Sequence, residues 1–221
     1  MNHLEGQNVD PDINRVLYII GASGHGKVIA DLAELLGYTV YFYDDAYPEK
    51  QQIEHWTVLG TFDDLLQLEP DKINVAVAIG NNVIRQEKIL LCEKHHYQLP
   101  RLIHPSAIIS KYAQVGTGTV VLAGAVINAF ARIGRGCIIN TASVVEHDCI
   151  INDFVHISPN SALAGSVFIG ECSWIGIGSQ INQLVNVDEH VLIGAGSTVV
   201  KNIPANVVAF GSPAKVISHN R

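Results

Sequence analysis

The segment "IINTASVVEHDCIINDFVHI", from Ile138 to Ile157, carries an aliphatic residue at every sixth position. Counting in sixes in both directions extends this series over residues 103–199, and all seventeen positions hold Ile, Val or Leu. These anchor residues are Ile103, Ile109, Val115, Val121, Ile127, Ile133, Ile139, Val145, Ile151, Ile157, Leu163, Ile169, Ile175, Ile181, Val187, Ile193 and Val199. Because roughly three in ten residues are of these types, chance would give such a run with odds of order one in a billion.

A small or β-branched residue follows each anchor by four places, as at Ala125, Cys137 and Cys149. One large and one small inward residue in every six is typical of a parallel β-helix, in which three hexads form one triangular coil. Stacking the coils at the usual strand spacing buries the anchors in one aliphatic column. Cys137 and Cys149 are therefore predicted to be packing residues.

The preceding part of the chain alternates between strand and helix patterns. "RVLYII", "TVYFYDD" and "INVAVAIG" read as strands, and "KVIADLAELLG", "FDDLLQL" and "NVIRQEKILLCEKHHY" read as helices. This βαβαβ order is half of a doubly wound sheet. We therefore expect an α/β Rossmann-like half domain at 14–102 and a β-helix domain at 103–221, preceded by a flexible leader at 1–13.

Composition restricts the partners. The chain has 221 residues and a formal charge of −7, so we expect no nucleic acid partner. Four cysteines without a CxxC pair favour reduced thiols in a cytoplasmic protein over disulfides or a zinc site. The first residues lack the apolar core of a signal peptide, and no run is long enough to insert into a membrane.

A glycine-rich motif, "GASGHGKV" at residues 21–28, follows the first predicted strand. It resembles a phosphate loop, but Val28 stands where a Ser or Thr would hold magnesium. The motif keeps free backbone N–H groups at a helix N-terminus, which favour an anion. We predict that Gly21, Ser23, Gly24 and His25 cradle the phosphates of a substrate without hydrolysing them.

Further polar residues end the next two strands at the same edge of the sheet. Asp44 and Asp45 follow the second strand, and Gly80 and Asn81 follow the third. This edge is where ligands bind in such sheets, so these residues are candidates for nucleotide binding. A turn or a helix cap is the alternative explanation for them.

His147 is the strongest catalytic candidate in the repeats. It is the third residue of its hexad, which predicts a ring pointing outward near the middle of a face. Either Glu146 or Asp148 can hold one ring nitrogen and leave the other free to take a proton. Gly165 lies eighteen residues later, one coil higher, where its backbone N–H can stabilise an oxyanion.

Five motifs together resemble the PglD/NeuD-type branch of hexapeptide-repeat sugar acyltransferases. They are "GASGHGK", the "DD" at residues 44–45, "AIGNN" at 78–82, "NTASVVEHD" at 140–148 and "GSPAK" at 211–215. The resemblance implies a left-handed β-helix, acetyl-CoA as co-substrate, no metal, and a UDP-amino-sugar whose uracil contacts the Asp pair. It also implies homotrimers with active sites at the subunit interfaces.

The resemblance assigns further site residues. His156 is similar to a second active-site histidine that contacts the acetyl or sugar region. With Gly165, Gly211 and Lys215 it is expected to bind acetyl-CoA, and Asn140 is expected to approach the sugar.

The predicted activity is N-acetylation of the 4-amino group of a UDP-4-amino-4,6-dideoxy sugar, with His147 as general base. The alternatives that keep the fold are a sugar O-acetyltransferase of sialic acid type and a GDP-amino-sugar N-acetyltransferase. A zinc hydratase needs a third histidine that is not evident. A noncatalytic sugar-binding or scaffold protein is the last alternative.

Overall fold

A computed structural model describes residues 15–70 and 73–219 of the chain. The leader predicted for residues 1–13 lies outside the described residues. None of the helices in the described ranges is long and apolar enough to cross a membrane.

The first unit is a five-stranded sheet with helices. In chain order its elements are β1 (Val16–Ile20), α1 (Gly24–Leu35), β2 (Thr39–Tyr43), β3 (Gln52–Ile53), β4 (Trp56–Gly60), α2 (Phe62–Leu65), β5 (Asn74–Val77) and α3 (Asn82–Lys94). The strand order is β3-β4-β2-β1-β5, and β1 pairs in parallel with both β2 and β5. The carboxyl ends of β1, β2 and β5 therefore meet at one edge.

The hairpin of β3 and β4 was absent from the sequence prediction. It adds an antiparallel pair, and β4 lies parallel to β2 with Phe42 opposite Val58. Residues of β4 alternate between buried and exposed, as expected of a strand with one solvated face. The sequence prediction assigned no element between Asp45 and Phe62, where both strands of the hairpin lie.

The second unit is the predicted parallel β-helix, built from seventeen two-residue strands. They are β6 (Leu102–Ile103), β7 (Ile108–Ile109), β8 (Gln114–Val115), β9 (Val120–Val121), β10 (Val126–Ile127), β11 (Arg132–Ile133), β12 (Ile138–Ile139), β13 (Val144–Val145), β14 (Ile150–Ile151), β15 (His156–Ile157), β16 (Ala162–Leu163), β17 (Phe168–Ile169), β18 (Trp174–Ile175), β19 (Gln180–Ile181), β20 (Asn186–Val187), β21 (Leu192–Ile193) and β22 (Thr198–Val199). Every one of them ends at an anchor residue, so the period of six is confirmed.

The strands form the three faces of a prism, each named here after its first strand. The β7 face contains β10, β13, β16, β19 and β22; the β8 face contains β11, β14, β17 and β20; the β6 face contains β9, β12, β15, β18 and β21. Partners along each face are eighteen residues apart, as with Val126 opposite Val144. Two-residue turns between the faces form the corners of the prism.

The anchors and the small residues fill the prism. Most of the anchors belong to a single apolar cluster, together with Ala125, Cys137 and Cys149. Burial raises the pKa of the Cys137 thiol to about 12, so it stays protonated. Both cysteines are packing residues, as predicted.

The chain closes the prism with a hairpin that the sequence did not suggest. β23 (Val207–Gly211) pairs in parallel with β21, and β24 (Ala214–His219) returns antiparallel to β23. This hairpin continues the β6 face beyond the last coil.

A buried polar clamp joins the two units. Arg85 of α3 is 1% exposed, and all five of its N–H groups have acceptors. These acceptors are the carbonyl oxygens of Ile79, Gly80, Gly136 and Phe154 and the side-chain oxygen of Asn82. Asn82 in turn donates to the carbonyls of Cys172 and Ser173.

The clamp, defined as Asn82 and Arg85, thus forms hydrogen bonds to three successive coils at the corner between the β8 and β6 faces. Arg85 also forms hydrogen bonds to the loop that follows β5, so the clamp connects this loop to the coils. No carboxylate among the described residues pairs with Arg85, and burial lowers the pKa of Arg85 to about 10. The sheet edge at which β1, β2 and β5 end is therefore held at a fixed position on the prism.

Candidate active site

His147 lies at the corner between the β7 and β8 faces, in the turn that connects β13 and β14. The sequence had placed it near the middle of a face, which is wrong, because each face is only two residues wide and the turn begins at the second residue after the strand. Its ring still points outward, and about 59% of the side chain is exposed.

The two neighbouring acids have different roles. His147 Nδ1 lies 2.8 Å from Asp148 Oδ2, so the Asp148 carboxylate holds the ring. Glu146 accepts a hydrogen bond from the backbone N–H of His147 at 3.2 Å and does not hold the ring. Asp148 has a φ of 59°, and this left-handed turn brings its carboxylate back over the histidine. The arrangement leaves His147 Nε2 free.

Gly165 faces that ring from the next coil. A Cβ atom built on Gly165 would lie 2.5 Å from His147 Cε1 and 2.6 Å from Nε2. No described residue accepts a hydrogen bond from the Gly165 N–H. A basic ring nitrogen and an open amide therefore lie side by side at this corner.

His156 lies on the β6 face and is 7% exposed. Its ring stacks on Trp174 with centroids 4.9 Å apart, and its Nε2 lies 3.1 Å from Nδ2 of Asn140. The side-chain oxygen of Asn140 accepts from Thr141 N–H, so the other amide atom must be the donating NH₂. His156 Nε2 is then the acceptor, and Nδ1 carries the hydrogen.

That Nδ1 is buried and has no hydrogen-bond partner among the described residues. Burial, assisted by the charge of Arg85, lowers the pKa of His156 to about 3. The ring is therefore neutral at physiological pH and presents an unused donor. Gly176, Leu192 and Ala195 line an apolar groove of about 390 Å³ beside it.

The glycine-rich loop enters α1 at the sheet edge. Gly21 has a φ of 102°, and a Cβ on Gly26 would collide with the Gly21 carbonyl, so the loop lies close against the helix. The Ser23 side chain forms no cap bond to α1. Gly24 begins the helix with open space around its Cα.

The side chains of the loop point in two directions. His25 has a buried Nε2 without a partner among the described residues, and burial lowers its pKa to about 4. It lies close enough to His156 to help lower the pKa of that ring. Lys27 is paired instead with Glu54.

A cavity of about 300 Å³ lies at the edge where β1, β2 and β5 end. Its lining includes Gly21, Ser23, Asp44, Asp45 and Gly80 from the sequence prediction. Lys88 of α3 also lines it and was not predicted. Alternation of charge along α3 made Lys88 look solvent-facing, and no local signal distinguished it.

The polar residues at this edge are only partly available to a ligand. Asp44 accepts from the N–H groups of Ala22 and Ala46 and so braces two turns. The Asn81 side chain caps α3 by accepting from the N–H groups of the first turn. Asp45 is the more accessible carboxylate.

The structure does not bring all candidates together within one chain. His147 and His156 are nine residues apart, which is half of an eighteen-residue coil. His147 therefore lies at the corner opposite the face that contains His156. Gly211 and Lys215 lie in the closing hairpin on the β6 face. The β23 strand of Gly211 is three rungs above the strand of His156, a rise of about 14 Å, and the β24 strand of Lys215 is one rung further.

Among residues 15–70 and 73–219, no group of three or more His, Cys, Asp or Glu side chains is arranged to hold a metal ion. The three histidines of the hydratase alternative do not converge in the described structure.

Comparison with known proteins identifies relatives along the chain. The family model of the PglD N-terminal domain matches residues 16–89. GDP-perosamine N-acetyltransferase of Escherichia coli O157:H7 is 32% identical over 187 residues, covering 80% of this chain and 82% of that protein. UDP-N-acetylbacillosamine N-acetyltransferase of Bacillus subtilis strain 168 is 39% identical over 109 residues, covering 48% of this chain and 50% of that protein.

A solved structure matches both units. The acetyltransferase domain of PglB from Neisseria gonorrhoeae FA1090, in complex with acetyl coenzyme A, superimposes with a TM-score of 0.89. It is 42% identical, and the match covers 92% of this chain and 100% of that domain.

The α/β unit, the hexapeptide-repeat β-helix and these relatives define an acetyl-CoA-dependent acyltransferase that acts on nucleotide amino-sugars. The O-acetyltransferase, hydratase and scaffold alternatives therefore give way to N-acetylation. The chain belongs to the PglD-type family of sugar N-acetyltransferases.

Proposed function

We propose that the protein transfers the acetyl group of acetyl-CoA to the 4-amino group of a UDP-4-amino-4,6-dideoxy sugar, with His147 as general base. The observation that carries this proposal is the corner at which Asp148 holds His147 Nδ1 and the ring packs against Gly165, whose N–H has no acceptor among the described residues. This arrangement supplies a base and an oxyanion donor for one reaction centre.

The reaction is direct attack in this proposal. The amine nitrogen forms a bond to the thioester carbon while His147 Nε2 takes an amine proton. The Gly165 N–H donates to the oxyanion that forms on the former carbonyl oxygen. Collapse of the tetrahedral intermediate breaks the carbon–sulfur bond, and the CoA thiolate leaves and takes up a proton. No covalent enzyme intermediate is needed.

A second copy of the chain completes the site. His147 lies at the corner opposite the face that holds His156, and the α/β unit is clamped beside that same face. A sugar bound to the α/β unit therefore cannot reach His147 of its own chain without crossing the prism. We propose a homotrimer in which His147 of one subunit meets His156 and the nucleotide pocket of the next.

His156 and Asn140 act on the substrates as neutral groups. The Nδ1–H of His156 has no acceptor among the described residues, so it is available to the acetyl carbonyl or to a sugar oxygen. Acetyl-CoA runs along the apolar groove beside it toward Gly211 and Lys215 in the closing hairpin.

The nucleotide sugar binds at the edge of the sheet. Its diphosphate accepts hydrogen bonds from the backbone N–H groups of Ser23 and Gly24 and faces His25. Its base lies beside Asp45 and Gly80. A GDP-linked amino sugar is the second candidate, because the relative from E. coli is named for GDP-perosamine.

Thiol release from acetyl-CoA tests the chemistry and the nucleotide. The assay is run on a panel of UDP- and GDP-linked 4-amino sugars, and the product mass identifies the acetylated nitrogen. We expect turnover with the UDP-linked sugars, and a His147→Ala variant reduced at least a hundredfold. Full turnover by that variant would remove His147 from the mechanism.

Subunit mixing tests the shared site. His147→Ala and His156→Ala subunits are prepared separately, mixed under denaturing conditions and refolded together. If each site uses one residue from each of two subunits, about a quarter of the sites in random trimers pair intact residues, and about a quarter of wild-type activity returns. A mixture as inactive as its parents, or an active monomer on sedimentation, would contradict the trimer.

A further inference from the structure

A partly buried cation lines the cavity proposed for the nucleotide and has no part in the proposed acetyl transfer. Lys88 lies on α3 with its Nζ 3.9 Å from the centre of the Phe62 ring and 3.8 Å from Asp45 Oδ2. Only 18% of its side chain is exposed, against 69% for Asp45. Packing on Phe62 therefore holds the ammonium group in place beside the carboxylate.

The two charged groups retain unused hydrogen-bonding capacity toward the cavity. Asp45 Oδ1 accepts from the backbone N–H of Phe62 at 3.0 Å, and its Oδ2 lies beyond hydrogen-bond distance from Lys88. No described residue accepts a hydrogen bond from Lys88 Nζ. The cavity wall therefore offers an acceptor and a donor side by side, while both oxygens of Asp44 are already engaged.

An acceptor beside a donor matches one class of nucleobase. Uracil presents its 4-carbonyl next to N3–H, and guanine presents its 6-carbonyl next to N1–H. Cytosine and adenine present the reverse order, an amino group next to a ring nitrogen with a lone pair. Opposite those bases, the ammonium would face a donor and the carboxylate would face a lone pair.

We propose that Lys88, together with Asp45, makes the site select keto nucleobases, uracil and guanine, over the amino nucleobases cytosine and adenine. Lys88 donates to the ring carbonyl, and Asp45 accepts from the adjacent ring N–H. The inference rests on the proposed function in one respect only, that this cavity holds the nucleotide.

Binding of free nucleotides tests the selection without any acetyl transfer. Titration calorimetry on the full-length protein uses UDP, GDP, CDP and ADP as probes. We expect UDP and GDP to bind at least tenfold more tightly than CDP and ADP, since a site built to bond a given polar edge rejects the reversed edge. Equal affinities for the four nucleotides would overturn the proposal.

The Lys88→Met variant separates recognition from structure. Methionine keeps the packing on Phe62 but has no donor. We expect the variant to lose about tenfold in affinity for UDP and GDP and to leave CDP and ADP unchanged, so that selectivity falls to within about threefold. A loss shared equally by all four nucleotides would show that Lys88 only supports the fold, and would overturn the proposal.

Two further variants serve as controls for the role of Lys88 in nucleobase selection. Lys88→Arg keeps a charged donor and should keep the selectivity. Lys94→Met removes an exposed cation from the end of the same helix and should change nothing. Thiol release with a nucleotide amino-sugar is measured separately. Acetyl transfer without nucleobase selection would contradict only this inference. Nucleobase selection without acetyl transfer would contradict only the proposed function.

Discussion

Replacing Gly165 by alanine should remove activity without unfolding the protein. The three atoms nearest to the new Cβ all belong to the His147 ring, at 2.5, 2.6 and 3.2 Å. The backbone at Gly165 does not have the left-handed φ that would strain alanine. The same corner position two coils earlier is already occupied by Ala129.

The size of the effect follows from these distances. A nonbonded contact with the ring needs about 3.5 Å, so the ring must move by about 1 Å from its position beside Asp148. A displacement of that size in a reacting group costs about a hundredfold in rate, or about 2.7 kcal/mol in the activation free energy. Because the ring is exposed enough to swing away, the free energy of unfolding should change by less than about 1 kcal/mol.

The assay combines kcat from thiol release with unfolding by urea. Gln183→Ala, at the same corner position one coil later, is the matched control and should retain full activity. Gly165→Ala should cost nothing further in a His147→Ala background, since both changes act through one ring. A Gly165→Ala enzyme with wild-type kcat would refute the contact between this glycine and a catalytic histidine.

The remaining predictions concern the buried polar groups. Arg85→Met leaves the carbonyls of Gly136 and Phe154 without a donor, so it should lower the free energy of unfolding by about 3 kcal/mol in urea titrations, while Arg132→Met on an exposed site should not. His156 has a folded pKa of about 3, below its unfolded value near 6.5, so the unfolded chain takes up the proton first as the pH falls. The free energy of unfolding should therefore decrease from about pH 6.5 toward pH 3, and this ring should account for about 2 kcal/mol of the loss between pH 7 and pH 5. The His156→Gln variant should lack that part of the loss. If the free energy of unfolding fell equally with pH in the two proteins, the buried neutral imidazole would be contradicted.

The repeat half of the fold could be predicted almost completely from the sequence. Period six fixed the strand ends, and a coil of eighteen placed Gly165 beside His147. The same arithmetic also separates His147 from His156 by half a coil, a step that was available from the sequence and was missed.

Features that depend on tertiary contacts could not be read from a local pattern. Arg85 and Lys88 lie in a helix whose alternating charges indicate a solvated face. Docking against the prism buries Arg85, and packing on Phe62 within the α/β unit partly buries Lys88. Asp44 and Asn81 look like ligands in the sequence, but the fold uses them to satisfy backbone N–H groups. Local sequence identifies polar groups at an edge, but tertiary contacts decide which of them stay free.

The clamp recognises atoms that every amino acid possesses. Asn82 and Arg85 bond to main-chain oxygens of the prism, so most corner side chains can change without loosening the junction. Gly136 is the exception, because a Cβ there would strike Ile89 and Phe154. The α/β unit should therefore dock onto another triangular prism whose corner has the same backbone shape. Such a transfer requires one glycine at the position of Gly136 and does not require the rest of the corner sequence to match.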